Sequence, residues 1–282
     1  MNEIILSTMP ELPEVETTRR GIAPACCGKT ITAVTIRQRI LRWPIPAGVE
    51  QALTGTTIHR VTRRAKYLLL ETGRGTVIIH LGMTGSLRVL ENAPAAEKHD
   101  HIDLQLSDGL LLRFRDPRRF GAFLWTTDPI HDHPLLKNLG IEPVDNISVT
   151  EICDHLYHHS RKRKTAIKTL IMDQKIITGV GNIYACESLF LSGIHPKRAA
   201  GRISKQRYHN LAGAIQSILN QAIQQGGTTL QDFRNSEGKP GYFQQQLSAY
   251  GREGAPCTIC NTPIRRFTQS QRSSWYCPHC QH

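Results

Sequence analysis

Between residues 30 and 125, apolar residues form short runs separated by polar positions and turns. Gly73, Gly75 and Asp108-Gly109 are the clearest turn signals. Short β-rich runs at this spacing are typical of a β-sandwich or barrel. The predicted strands are Ile31–Ile36, Tyr67–Glu71, Thr76–Leu81, Ser86–Leu90, Ile102–Leu106, Leu110–Arg115 and Ala122–Trp125.

After Pro143 the apolar positions follow a helical period, most clearly at Leu211, Ile215 and Ile218. This change of period predicts a domain boundary near residues 140–148. The helices predicted in this second half span residues 149–158, 164–173, 182–192 and 204–225.

One helix is predicted ahead of the strands. Pro13 lies near its start, Glu14 and Glu16 follow in the first turns, and Gly21 lies beyond its end. These are the usual start and stop signals of a short capped helix. We therefore expect a helix over Leu12–Arg20.

The 282-residue chain is basic, with a formal net charge of +12 at pH 7. Residues 1–150 carry 18 basic and 16 acidic side chains, whereas residues 151–282 carry 17 and 7. Such a balance favours a polyanionic partner that binds mainly to the second half. The hydrophobic fraction of 39% supports a real core, which argues against a disordered protein.

The longest apolar runs, such as Val77–Ile79, are far shorter than the roughly 20 residues that cross a bilayer. We therefore expect no membrane span, and the short run Ile4-Ile5-Leu6 does not make a signal peptide. Four of the eight cysteines form two close pairs, which favours a metal site in a reducing cytoplasm over a disulfide framework.

The two cysteine pairs have the spacing of a structural zinc site. Cys257-x2-Cys260 is followed by Cys277-x2-Cys280, so two knuckles can present four thiolates to one tetrahedral ion. Four thiolates leave no open position for water, so the zinc is expected to be structural. Between the pairs we expect a two-stranded ribbon whose tip carries Arg272, a suitable contact for a phosphate.

A second anion-binding feature is predicted at residues 178–185. Gly179 and Gly181 form a tight connection just before a helix, where backbone N–H groups can face an anion. The turn follows the basic run Arg161-Lys162-Arg163-Lys164, which strengthens the interpretation as a phosphate-binding region.

Met9-Pro10 suggests unusual chemistry, because removal of the methionine would leave proline as the first residue. An N-terminal proline is a secondary amine whose pKa lies near about 8, so a free-base fraction exists at neutral pH. It can attack a sugar C1′ as lysine does in Schiff-base enzymes. The product is a permanently charged iminium, which acts as an electron sink for elimination.

From Met9 to Gln281 the chain resembles bacterial formamidopyrimidine-DNA glycosylases, also called 8-oxoguanine DNA glycosylases. The resemblance implies an α+β fold: an N-terminal β-sandwich with a short helix, a helix–two-turn–helix domain, and a C-terminal β-ribbon zinc finger. The implied domains are 9–140, a hinge at 141–148, 149–250 with a base-capping loop at 226–243, and 251–282. The motifs that carry the resemblance are Pro10-Glu11-Leu12-Pro13-Glu14, Arg64-Ala65-Lys66-Tyr67, His80-Leu81-Gly82-Met83, Lys98-His99-Asp100-His101, Asp116-Pro117-Arg118-Arg119-Phe120, Gly179–Ala185 and the four-cysteine ribbon.

The same resemblance implies the site residues. Pro10 would be the nucleophile and Glu11 the acid that helps the sugar ring open, with Glu14 as support. Lys66 would assist β-elimination and Arg272 δ-elimination. The extruded base would leave a gap filled by Met83, Arg118 and Phe120, with Arg118 contacting the unpaired cytosine. Phosphates would contact His99, Arg118, Arg163, Asn182 and Arg272, and Glu187 would face the damaged base.

Met1–Thr8 depart from the family pattern, because an internal Pro10 has an amide nitrogen with no nucleophilic lone pair. We interpret them as an extension ahead of the true start at Met9. The alternatives are an endonuclease VIII-like glycosylase for oxidised pyrimidines and a noncatalytic zinc-ribbon DNA-binding protein. The expected partner is double-stranded DNA containing an oxidised purine, bound by a monomer in the bacterial cytoplasm.

Overall fold

The computed structural model describes residues 10–144, 146–226 and 247–282. The chain divides into two compact units. The described residues of the first unit are 10–137 and 225–226, and those of the second are 138–144, 146–224 and 247–282. Met1–Thr8 and most of the predicted base-capping loop lie outside the described residues.

The first unit contains two four-stranded antiparallel sheets, in the orders β1-β6-β7-β5 and β2-β3-β4-β8. Leu68, Leu70, Val77 and Ile79 are fully buried, and each such side chain stabilises the fold by about 1.5–3 kcal/mol. The strands are β1 (Ile31–Ile36), β2 (Ile58–Arg64), β3 (Tyr67–Thr72), β4 (Gly75–His80), β5 (Ser86–Leu90), β6 (Asp100–Leu106), β7 (Leu111–Arg115) and β8 (Ala122–Thr126).

β2 was not predicted from the sequence. Its segment, Ile-His-Arg-Val-Thr-Arg-Arg, is mostly polar, so it lacks the apolar run expected of a sandwich strand. It forms because β3 pairs with it from Ile58↔Thr72 to Arg64↔Tyr67, and because helix α1 (Leu12–Cys26) packs on it. Tertiary pairing therefore outweighs the local polar pattern.

Helix α1 spans Leu12–Cys26 and is longer than the predicted Leu12–Arg20. The prediction ended the helix at Gly21, but the helix continues through Gly21 and Pro24. Ile22 and Cys26 are fully buried on this extension. Their burial offsets the roughly 1 kcal/mol cost of an internal glycine. A second short helix, α2 (Val49–Leu53), was also not predicted.

The second unit contains four α-helices among the described residues and a two-stranded ribbon. The helices predicted at 149–158, 182–192 and 204–225 lie close to the observed bounds. The helix predicted at 164–173 is shorter in the structure, where it spans Ile167–Ile171. α6 packs against both α3 and α5, and the ribbon packs against α5. The elements are α3 (Val149–Ser160), α4 (Ile167–Ile171), α5 (Asn182–Leu191), α6 (Lys205–Gln224), β9 (Arg265–Gln269) and β10 (Arg272–Tyr276).

The zinc ribbon and the helices belong to one compact unit. The Gln281 side chain donates to the Ile194 carbonyl at 2.9 Å, and Arg207 donates to the carbonyls of Gly193 and His282 at 2.8 Å each. Trp275 is buried against the ring of Tyr250, with 4.3 Å between ring centroids. Polar contacts therefore hold the C-terminal ribbon to Arg207 and to the residues after Leu191, and the aromatic contact joins the ribbon to the segment that precedes it.

The units divide between Lys137 and Asn138, slightly before the expected hinge at 141–148. The Ile141 N–H donates to the Ile176 carbonyl at 3.3 Å, and the Gln216 side chain donates to the Ile147 carbonyl at 2.7 Å. Residues of the expected hinge therefore already pack on the second unit. Within the described part of the chain, no helix combines the length and apolar character needed to cross a membrane.

Candidate functional site

The Pro10-Glu11 segment is held by the start of α1. Glu11 is the N-cap residue, and its backbone N–H donates to the Glu14 carboxylate at 2.8 Å. Pro10, Glu11 and Glu14 are all buried. This reciprocal cap fixes the backbone at the first helical turn. Glu14 thus has the geometry of the supporting residue expected from the sequence.

Lys66 lies in the tight turn between β2 and β3. The last paired residues are Arg64 and Tyr67, so Ala65 and Lys66 form a two-residue hairpin turn. Ala65 adopts a left-handed conformation with φ of 52°, which is unusual for a residue with a side chain. Lys66 is half-buried at this end of the hairpin.

His80 lies beside this turn, and the sequence pattern alone assigned it no role. It ends β4, pairs with Tyr67, and accepts a hydrogen bond from the Gly82 N–H on Nδ1 at 3.0 Å. Burial, together with the nearby cations Lys66 and Arg42, lowers the pKa of His80 to about 4. The imidazole is therefore neutral at pH 7 and carries its proton on Nε2. Its place immediately before Leu81-Gly82-Met83 was the available sequence signal.

Met83, Arg118 and Phe120 lie on two turns that are joined by the buried Asp116. The Asp116 carboxylate accepts from the Thr84 hydroxyl and from the Gly121 N–H, at 2.7 Å each. Thr84 Oγ1 in turn accepts from the Arg118 N–H at 3.1 Å. The two turns are therefore fixed relative to one another.

The three side chains are presented on a surface rather than packed in the core. Phe120 is 45% exposed, and Met83 is half-buried. The Arg118 guanidinium lies over the Phe120 ring, 4.8 Å from its centroid. Gly82 has φ of 67°, and a Cβ there would approach the Phe120 backbone to 2.5 Å. A glycine is therefore required where the two turns meet.

His99 lies in the same unit, just ahead of β6. Its backbone is left-handed, with φ of 83°, and its carbonyl accepts from the Asp116 N–H at 3.1 Å. Partial burial and the nearby cations Lys98 and Arg115 lower the pKa of His99. The imidazole is therefore mainly neutral at pH 7 and can act as a hydrogen-bond donor.

In the second unit, Asn182 is the first residue of α5 and follows the predicted glycine turn. Gly179 has φ of 83°, as the turn requires. The Gln174 side chain spans the turn, since it accepts from the Gly179 N–H at 3.1 Å and donates to the Val180 carbonyl at 3.2 Å. These contacts fix the direction in which α5 begins.

Arg163 and Arg272 line one cleft of about 360 Å³, which also includes Thr169 and Gln269. Arg272 begins β10 after a turn in which Ser270 and Gln271 both have positive φ. Both arginines are exposed. The structure therefore brings together two arginines that are 109 positions apart in the sequence.

Arg161, from the same basic run, points inward. Its guanidinium lies 3.9 Å from the centroid of the Tyr157 ring and donates to the Ile203 carbonyl at 3.0 Å. It supports the turn after α3, whereas its neighbours Lys162, Arg163 and Lys164 are exposed. The basic run is thus divided between a structural arginine and a charged surface.

Among the described residues, the Glu187 carboxylate binds backbone donors, and its expected place facing the damaged base stays a prediction. It is 1% exposed, and its carboxylate accepts from the backbone N–H groups of Ser248, Ala249 and Tyr250 at 2.8, 2.9 and 2.6 Å. Burial raises the pKa of Glu187, and these three donors offset part of the rise. Glu187 therefore anchors the segment that follows residues 227–246.

Replacing Glu187 with glutamine is expected to destabilise the protein by about 2 kcal/mol, because an amide NH2 would face a backbone donor in place of a carboxylate oxygen. The free energy of unfolding from urea titration would measure this. Glu253→Gln, at an exposed carboxylate, is the control and should change the stability by less than about 0.5 kcal/mol. Equal effects of the two variants would contradict the anchoring role.

Cys257, Cys260, Cys277 and Cys280 bring their sulfur atoms within 4.8 Å of one another. Three of the Sγ–Sγ distances are 3.4, 3.5 and 3.9 Å. Tetrahedral zinc with Zn–S bonds of about 2.3 Å requires sulfur atoms about 3.8 Å apart. The four thiolates therefore fit one structural zinc ion, as predicted from their spacing.

Three family models match consecutive parts of the chain. The formamidopyrimidine-DNA glycosylase N-terminal domain matches residues 9–123, and the formamidopyrimidine-DNA glycosylase H2TH domain matches residues 139–234. The zinc finger found in FPG and IleRS matches residues 254–282. The predicted fold class and the structural zinc are both confirmed.

Two curated relatives, both named formamidopyrimidine-DNA glycosylase, align over 97% of this chain and 100% of their own length. The protein of Alkalilimnicola ehrlichii is 55% identical over 279 residues, and that of Marinobacter nauticus is 56% identical over 273 residues.

The solved structures that resemble this chain are also Fpg proteins. The MutM (Fpg) protein of Thermus thermophilus has a TM-score of 0.85 and 35% identity, with 96% of this chain and 98% of that chain covered. The Lactococcus lactis Fpg bound to Fapy-dG-containing DNA has a TM-score of 0.85 and 31% identity, with 96% and 100% covered. From the amino-terminal proline motif to the zinc ribbon, the chain belongs to the formamidopyrimidine-DNA glycosylase family.

Proposed function

We propose that the protein is a base-excision repair DNA glycosylase that removes oxidised purines from duplex DNA and then cleaves the strand. The observation that carries this proposal is the buried Pro10-Glu11 pair, held by Glu14 at the capped start of α1. Relatives named formamidopyrimidine-DNA glycosylase and Lactococcus lactis Fpg complexes with Fapy-dG and abasic-site DNA support the substrate class.

In the proposed reaction, the Pro10 amine attacks C1′, the bond from C1′ to the damaged base breaks, and the proton lost by the amine goes to the departing base. Glu11 protonates the ring oxygen, so that the sugar opens and an iminium forms between Pro10 and C1′. The iminium withdraws electrons, which allows loss of a C2′ proton and expulsion of the 3′ phosphate with help from Lys66. Arg272 assists the second elimination, which expels the 5′ phosphate and leaves a one-nucleotide gap.

The remaining site residues would bind the DNA. Phe120 is exposed and Met83 is half-buried, and both lie on fixed turns, which suits insertion into the gap left by an extruded base. His99, Arg118, Arg163, Asn182 and Arg272 are proposed to contact phosphates. The zinc ion holds the ribbon that carries Arg272 and takes no part in the chemistry. We further propose a monomer that acts on DNA in the bacterial cytoplasm.

An excision assay tests this function. When protein that begins at Pro10 is used, duplexes with 8-oxoguanine or a formamidopyrimidine opposite cytosine should lose the base and be cleaved, and borohydride should trap a covalent adduct. Faster excision of an oxidised pyrimidine would instead support the endonuclease VIII-like alternative. Tight binding without cleavage or adduct would support the noncatalytic alternative.

Arg118→Ala is expected to reduce the preference for cytosine over adenine opposite the lesion. A guanidinium offers several donors to an unpaired cytosine, and such contacts discriminate by about 1–3 kcal/mol. Single-turnover excision rates on the two duplexes should therefore converge. The control is Arg119→Ala, which removes the same charge at the neighbouring exposed position. An unchanged cytosine-to-adenine ratio in Arg118→Ala would contradict the assignment.

A further inference from the structure

A buried ion cluster lies between α1 and the hairpin that carries Lys66. Glu16 accepts hydrogen bonds from Arg19 and Arg20 at 2.8 Å and from Arg63 at 3.0 Å. The Glu16 and Arg63 side chains are 9% and 5% exposed. Burial acts to raise the pKa of Glu16, but the three guanidinium groups outweigh it and lower the pKa to about 2. Glu16 and Arg63 are therefore both ionised at any pH at which the enzyme would work.

The three arginines differ in what else they contact. Arg63 also donates to the Ala65 carbonyl at 3.0 Å, within the turn that presents Lys66. Arg19 donates to the Val61 carbonyl in the middle of β2, at 3.3 Å. Arg20 has a 54% exposed side chain and pairs with Glu16 from the solvent side. Arg63 is thus the partner of Glu16 that is bonded to the turn itself.

We infer that Arg63 and Glu16 are positioning residues that hold the Lys66 turn at a fixed distance from the Pro10 end of α1. This inference rests on the proposed function, because it assigns imine formation to Pro10 and elimination to Lys66. Glu16 lies six residues after Pro10, within the first two turns of a rigid helix. Lys66 lies three residues after Arg63, across a turn whose left-handed residue is Ala65.

Positioning explains a buried pair better than stability does. A buried ion pair contributes little net stability compared with apolar side chains of the same volume, because both charges lose their hydration. By contrast, a displacement of about 1 Å between reacting groups can reduce a rate by about 100-fold. The Arg63 guanidinium is bonded to Glu16 on one side and to the Ala65 carbonyl on the other, and these two bonds prevent such a displacement.

The test compares Arg63→Gln with Arg20→Gln on duplex DNA that contains a preformed abasic site. Both variants remove one positive charge and one partner of Glu16, but Arg63→Gln alone breaks the bond to the turn. Borohydride trapping measures imine formation. Strand cleavage in the same single-turnover reactions measures elimination.

Arg63→Gln is expected to form the trapped adduct within about 3-fold of the wild-type rate but to eliminate about 10- to 100-fold more slowly. Adduct with an uncleaved strand should therefore accumulate. Arg20→Gln should leave both rates within about 2-fold of wild type. Arg63→Lys keeps the positive charge but lacks the forked guanidinium, so its elimination rate should lie between those of Arg63→Gln and Arg20→Gln.

A purely structural role predicts a different pattern. In that case both steps in Arg63→Gln would fall together with the folded fraction measured by circular dichroism, which would overturn the inference. Equal elimination rates in Arg63→Gln and Arg20→Gln would also overturn it. If Arg63→Gln does not fold, the trapping and elimination rates of Arg63→Lys and Glu16→Gln are compared with those of Arg20→Gln instead. A wild-type protein that begins at Pro10 but neither traps nor cleaves abasic DNA would refute the proposed function itself, and this inference with it.

Discussion

Borohydride is expected to trap a covalent adduct with lesion DNA when the chain begins at Pro10, and none when residues 1–8 remain ahead of Met9. With an upstream residue attached, the Pro10 nitrogen is part of an amide, and resonance removes its lone pair. Adduct formation should fall by on the order of 10³-fold or more, as for the loss of a nucleophile in other enzymes. Lys66 would not substitute, because a free lysine amine with a pKa of about 10.4 is mostly protonated at pH 7.

The matched control for this prediction is a single preparation that carries a protease site directly before Pro10. Adduct formation is measured before and after cleavage, and N-terminal sequencing identifies the first residue. Binding to an uncleavable lesion analogue should be similar in both forms, since the proposed phosphate contacts lie elsewhere in the chain. Full activity in protein proven to retain Met1 would falsify the assignment of Pro10 as nucleophile.

Cys277→Ser is expected to remove the zinc ion and to weaken DNA binding by at least about tenfold, or 1.4 kcal/mol. Zinc in a four-thiolate site contributes an apparent free energy of about 10–16 kcal/mol to the folding of its module, so three remaining thiolates should not hold the ribbon. Arg272 lies on β10, the strand that leads into Cys277, so its position depends on the metal.

The effect should extend beyond the ribbon, because the ribbon is bonded to the helices. The Lys168 ammonium donates to the Ser273 carbonyl at 2.8 Å and to the Ser274 hydroxyl at 2.7 Å. The Gln281 side chain donates to the Ile194 carbonyl. Hydrogen exchange should therefore increase around residues 194–207 as well as 260–282, while the first unit stays protected. Cys27→Ser, outside the cluster, is the control. One retained equivalent of zinc with a protected ribbon would contradict the four-thiolate assignment.

Several local features of the candidate site followed directly from the sequence. The x2 spacing within each cysteine pair predicts the zinc knuckles, because two thiolates must reach one ion across a tight turn. Glu14 lies three residues after Glu11, which is the spacing of a capping interaction. Gly179 and Gly181 mark the turn before α5 for a similarly local reason.

Other roles were decided by contacts between distant parts of the chain. The Glu187 carboxylate accepts hydrogen bonds from the backbone of Ser248–Tyr250, 61 to 63 positions away. Asp116 and Thr84 join the two turns of Met83 and Phe120 across 32 positions. Whether a polar side chain faces solvent or another segment depends on which segment packs against it, and one-dimensional periodicity does not contain that information.

The amino-acid sequence by itself determined the elements whose signals lie within a few residues: most strands, the helix starts, the zinc ligands and the proline that would become the nucleophile. Tertiary structure alone decided that polar β2 becomes a strand, that Arg161 and Glu187 turn inward, and that Arg63 joins Glu16 to the Lys66 turn across 47 positions. The physical reason is that a buried charge is stable only with its partners in place, and those partners become neighbours only when the chain folds.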